Sequence, residues 1–208
     1  MEWIGGLPGL ITALAFAVGI PLALMKRKKE GPKKIEQLIQ HLLGIGIKVS
    51  LVEETEAAEK TEMSRRSFAH SSVGLLAISG KNVDYINVIG TASQYGVNYS
   101  LEYMVKKSEY LDVEKQKKIR IIRRKSPAIW GRVMDIEWNG NSDLSRQLNL
   151  DYRLKDILMQ IDLKQLKGGI KISLEPKKKY ARIKTGFVLP EIELFEAIGI
   201  VAHHIKTG

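Results

Sequence analysis

From Trp3 to Met25 the chain runs for 23 residues without a charge, and the next nine read KRKKEGPKK, with six cations and one acid. As a helix the run rises about 34 Å at about 1.5 Å per residue, against a bilayer hydrocarbon core of about 30 Å. Only Thr12 carries a hydroxyl among its Gly, Ala, Leu, Ile, Val, Phe, Trp, Met and Pro residues. Such a segment is expected to span a membrane. The positive charge follows the span and only Glu2 and the terminal amine precede it, so the positive-inside rule places the N-terminus outside and everything after Met25 in the cytoplasm. A cleavable leader would have the opposite order, with cations before a shorter apolar region. The expected organisation is a transmembrane anchor over 1–25, a basic juxtamembrane segment over 26–34 and one cytoplasmic domain over 35–208.

Within the anchor, Gly9, Ala13 and Ala17 recur every four residues. A stripe of small residues lets two helices approach closely, which makes a homo-oligomer through the anchor one expectation; a stripe without a partner is the plainer one. Asn98-Tyr99-Ser100 matches a glycosylation acceptor, but a cytoplasmic domain would not meet the transferring enzyme.

The cytoplasmic part reads as α+β, with a mostly antiparallel sheet and packed helices. Pro32 suits the first turn of a helix carrying Ile35, Leu38, Ile39 and Leu42, with Gly44 as its stop. A strand is expected over 45–52, and a charged helix or loop over 53–66. Five β-like runs follow, over 73–79, 83–89, 99–105, 118–125 and 132–138; being short and adjacent, they favour antiparallel pairing. Leu144 and Leu148 then mark one helix, and Leu154, Ile157, Leu158 and Ile161 a second, before Gly168-Gly169 ends the helical region. Alternation over 170–174 and 180–187 predicts a hairpin, and Leu194, Phe195, Ile198, Val201, Ala202 and Ile205 predict an amphipathic closing helix.

Little in the chain points to catalysis. No cysteine is present, which removes thiol nucleophiles, disulfides and thiolate metal sites. Phosphate-cradling glycine loops, zinc-binding H-E-x-x-H helices and nucleophile elbows are absent from the sequence too, and no cofactor or metal is expected. His41 falls on the polar side of its helix. His203 and His204 are adjacent rather than four apart, which is poor ligand spacing, and His70 before Ser71-Ser72 lacks a third member for a nucleophilic triad. Asp135 and Glu137 share one strand face, but Arg120 and Arg124 on the preceding strand make cross-strand ion pairs the simpler expectation.

The cations are more informative. The 33 Lys and Arg outnumber 23 acids, for a net charge of +10, and 18 of the 33 occupy three short zones. These are Lys26 to Lys34, Lys115 to Lys125 and Pro176 to Lys184. The candidate anion-binding residues are Lys26, Arg27, Lys28, Lys29, Lys33 and Lys34 beside the membrane and Lys177, Lys178, Lys179, Arg182 and Lys184 in the domain. Attraction of a cation to an anionic leaflet is worth about 1 kcal/mol near the surface. Nucleic-acid binding calls for stacking aromatics among the cations, and the two later zones hold only Tyr180. The expected function is therefore a membrane-anchored cytoplasmic interaction module that binds the anionic headgroups of the lipid bilayer or a protein partner. A membrane-bound hydrolase-like enzyme and a tethered nucleic-acid binder are the alternatives.

Overall fold

In a computed structural model the described residues are 7–53, 56–57, 70–108, 118–126, 132–140, 142–161, 166, 168–175 and 178–208, with the side chains of the first helix described from residue 21. Among them are a long helix α1 (Leu7–Gly44), strands β1 (Val49–Leu51), β2 (His70–Ile78), β3 (Tyr85–Ser93), β4 (Gly96–Lys106), β5 (Lys118–Ser126) and β6 (Arg132–Asn139), helices α2 (Asp143–Leu150) and α3 (Tyr152–Gln160), strands β7 (Lys171–Ser173) and β8 (Tyr180–Gly186), and helix α4 (Ile192–Thr207). The eight strands form one sheet in the order β1-β2-β3-β4-β8-β7-β5-β6, and every neighbouring pair is antiparallel. The protein is α+β. The first four strands are a meander, while the β7–β8 hairpin inserts between β4 and β5.

Strand alternation separates the two faces of the sheet. Leu76, Ile86, Val88, Leu101, Tyr103, Val105, Ile172, Ala181 and Ile183 lie in the core shared with the helices, together with Leu38 and Leu42 of α1 and Leu194, Ile198 and Val201 of α4. Residues of opposite parity, including Asn87, Glu102, Arg182 and Lys184, point to the other face. Asn87 and Glu102 are nevertheless buried there.

Helix α1 differs from the expectation of an anchor, a basic linker and a separate helix starting at Pro32. It is one continuous helix, and both Pro21 and Pro32 lie inside it. Pro32 stands on the exposed side, where the carbonyl four residues earlier, left without its helical donor, meets water. The boundaries expected at 25/26 and 34/35 thus fall within a single element. Ala23, Gly31, Ile35, Leu38 and Leu42 are buried at spacings of three, four and eight, which lays this half of the helix along the sheet. Close approach is achieved by missing side chains: a Cβ on Gly31 would overlap Val73 Cγ1, and one on Gly74 would come 2.8 Å from Ile35 Cδ1. Val73 is an extra residue at a bulge in β2, between Ser72 paired with Ile89 and Gly74 paired with Val88, and the bulge turns it toward the helix.

The helix ends at Gly44, the expected stop, and the left-handed residue that closes it is Gly46. The amide of Ile47 donates to the Leu42 carbonyl at 2.8 Å and that of Gly46 to Leu43 at 3.0 Å, a Schellman arrangement in which Gly46 takes φ +78°. This turn consumes the start of the strand expected over 45–52, so β1 is only three residues long. At the other edge, Asn149 of α2 accepts from Trp138 N at 2.7 Å and donates to Trp138 O at 2.9 Å, which blunts the open edge of β6. Ser142 caps α2 in a reciprocal box with Ser145, and Asp151 both ends α2 and caps α3. The two helices expected from the leucine spacing are thus separated by that single aspartate.

Among the described residues no helix is long and apolar enough to cross a membrane. Most of the charge-free run precedes residue 21, where residues 7–20 are described only as helical backbone.

Candidate functional site

The basic run of α1 is divided by its docking on the sheet. Arg27 and Lys34 turn inward: the Arg27 guanidinium donates to the Gly90 carbonyl at 3.4 Å, and the Lys34 ammonium lies 5.0 Å from the Phe187 ring centroid. Lys26, Lys28, Lys29 and Lys33 are exposed, beside the exposed apolar side chains of Leu22 and Met25. Lys26 pairs with Glu30 at 3.8 Å, one turn on, and both members of that pair are exposed enough for it to contribute little. Near this end, burial, then the neighbouring Glu30, push the pKa of the Tyr99 hydroxyl up, with Arg27 opposing. A cleft of about 460 Å³ opens between α1 and β2, lined by Leu24, Arg27, Lys28, Pro32, Ser71 and Ser72.

The second set of candidate residues is arranged differently. Lys177 lies outside the described residues. Lys178 pairs with Glu175 at 3.1 Å, and the Lys179 ammonium lies 5.9 Å from the ring centroid of Tyr180. Arg182 and Lys184 share a sheet face, as two residues on one strand must. Between them stands Glu102 of β4, 3.8 Å from Arg182 and 3.6 Å from Lys184, and Arg182 also reaches Glu175 at 3.7 Å. The Arg182 side chain is only 12% exposed, so its charge serves the sheet rather than an outside surface.

Sequence reasoning missed what lies next to this pair. Lys184 faces Lys171 of β7, and Lys171 faces Arg120 of β5, so three cations stand side by side across three strands. Lys118 lies on the same face, two residues from Arg120. Lys118, Arg120 and Lys171 are exposed. Their juxtaposition needs the order β8-β7-β5, which no local signal encodes.

The acids and histidines singled out from sequence are engaged in structural contacts. Glu137 pairs with Arg124 and Asp135 with Lys155 of α3 at 2.6 Å, while Arg120 faces Asn139 rather than an acid. The hydrogen bond from Lys155, then that from the Ile136 amide, hold the Asp135 carboxyl below the usual range. Arg124 and Glu137 do form a cross-strand pair. His41, read as a solvated surface residue, instead donates to the Pro190 carbonyl at 2.9 Å and ties α1 to the start of α4. His204 donates to Asp151 at 2.8 Å. Burial of Asp151 works to raise its carboxyl, but this bond and the Leu154 amide outweigh it and the carboxyl is held low. His70 sits opposite Thr91 at the start of β2. His203 is exposed at the rim of an open groove of about 810 Å³, floored by Ile45, Ile47 and Phe195 and bordered by the Arg153–Glu196 ion pair. Among the described residues no group of His, Asp and Glu is placed to hold a metal ion.

No family model matches this chain, and neither a curated protein nor a solved structure matches it.

Proposed function

We propose that the protein is a single-pass, membrane-anchored interaction module whose α+β domain works at an anionic cytoplasmic leaflet. The observation that carries this reading is the 23-residue charge-free run followed directly by six cations and one acid. The continuity of α1 supports it, because one helix would serve as both span and dock. Lys26, Lys28, Lys29 and Lys33 would then face the headgroups, each contributing about 1 kcal/mol at the surface. Lys28, exposed at the rim of the α1–β2 cleft, offers a cation suited to a phosphate ester. A tag placed after Gly208 should be protected from protease added outside intact cells and become accessible on lysis. A tag digested outside intact cells would remove the orientation. Replacing Lys26, Lys28, Lys29 and Lys33 with Gln should reduce enrichment of anionic lipid around the reconstituted full chain without changing its fold.

A further inference from the structure

We infer that the hairpin joining β3 to β4 is a second membrane contact, with Tyr95 at its tip inserted below the headgroups beside the anchor. The inference rests on α1 spanning the bilayer and adds a site that the span alone does not require.

The direction of α1 over the sheet follows from its contacts. Leu42 lies near the Schellman turn, Ile35 touches Gly74, and Gly31 touches Val73. Arg27 touches Gly90, and Leu24 shares a cleft with Ser71. Moving toward the N-terminus of α1 is therefore moving toward the start of β2 and the end of β3. Gly90 pairs with Tyr99, and the hairpin continues past them through Ala92 paired with Val97 and Ser93 paired with Gly96. From Gly90 to the tip is four or five strand residues, about 13 to 16 Å at about 3.3 Å each. The same distance along α1 from Arg27, at about 1.5 Å per residue, reaches roughly residue 17.

The tip thus stands level with a part of α1 that lies well inside the charge-free run. A domain docked in this way cannot hang free below the bilayer; its hairpin must meet the bilayer where α1 enters it. Ala23 is 3% exposed and Ala92 5%, so the packing of helix against sheet persists beyond Arg27 toward the tip. Tyr95 is 90% exposed, the most exposed large apolar side chain among the described residues. Tyrosine carries an apolar ring with a polar end, the combination enriched at bilayer interfaces. Ser93 closes the turn internally, its hydroxyl donating to Gly96 O at 3.2 Å and accepting from Tyr95 N at 3.3 Å, which lowers the cost of bringing this backbone against lipid.

The chain has no cysteine, so single labelling sites are clean. Spin labels at Ala15→Cys in the anchor, Gln94→Cys beside an intact Tyr95, and His203→Cys on α4 would be compared in the full chain reconstituted into vesicles containing an anionic lipid. The label at 94 is expected to lose accessibility to a water-soluble relaxant relative to 203, and to gain accessibility to oxygen. Adding Tyr95→Asp should restore much of the aqueous accessibility at 94. Immersion at 15 with full aqueous exposure at 94 would overturn the hairpin contact and leave the anchor standing. Aqueous exposure at 15 would overturn the anchor and the hairpin contact together.

Discussion

The two halves of α1 show how one helix is read by two surroundings. Before residue 21 its sequence is apolar on every side, the pattern of a helix surrounded entirely by nonpolar material. After Ala23 it is one-sided, with small and aliphatic residues against the sheet and Lys26, Lys28, Lys29 and Lys33 facing out. The first half needs only hydrophobicity. The second needs shape, because Gly31 approaches Val73 and Gly74 approaches Ile35 at distances no side chain would permit. Mutations should therefore be felt very differently in the two halves.

The largest contrast is expected between Leu38→Ala and Leu14→Ala. Leu38 is fully buried in the shared core, so its truncation should lower domain stability by about 2–5 kcal/mol in a denaturant titration. Leu14→Ala should leave that transition unmoved. Equal losses at both positions would mean that the first half also packs in the domain core.

Gly31→Val should come next, costing about 1–3 kcal/mol as the helix is wedged away from Val73. It sharpens the comparison because the added methyl groups would suit the first half of the helix and only offend the second.

Away from α1, Asp151→Ala should cost about 1 kcal/mol by removing the cap of α3, together with its bond to His204. Its carboxyl titrates below the ordinary value when folded, so its contribution is complete above the unfolded value of about 3.9 and is lost as pH falls through the lower, folded value. The wild-type and Ala variants should accordingly converge in stability on acidification; a constant gap down to the acid transition would assign the cost to packing alone.

How much of this was legible in the sequence depended on whether the signal was local. The runs 99–105, 118–125 and 132–138 became β4, β5 and β6 within a few residues, because alternation and turn residues are written along the chain. The two helices over 143–160 and the closing helix were similarly readable. The continuity of α1 was not, since Pro32 carries the same start signal whether or not a preceding helix runs through it. Nor was the pairing of Arg182 and Lys184 with Glu102, which needs β8 beside β4, although Glu102 and its register partner Lys184 stand 82 residues apart in the chain.

 Glu102 pairs in register with Lys184 and Tyr103 with Ile183, contacts between segments far apart in the chain. The cationic row Lys184, Lys171 and Arg120 was hidden for the same reason, since it is a property of strand order rather than of any one strand.

Whether the first half of α1 lies in a bilayer decides the proposed role of the protein. Full-length protein and a chain lacking residues 1–20, which keeps Ala23 and the packed half of the helix, would each be mixed with vesicles during refolding, washed in high salt and floated on a density gradient. The full chain is expected to float with the lipid after the wash, and the shortened chain to stay in the aqueous fractions with its fold intact by circular dichroism. Full-length protein left in the aqueous fractions as a folded species would contradict the account.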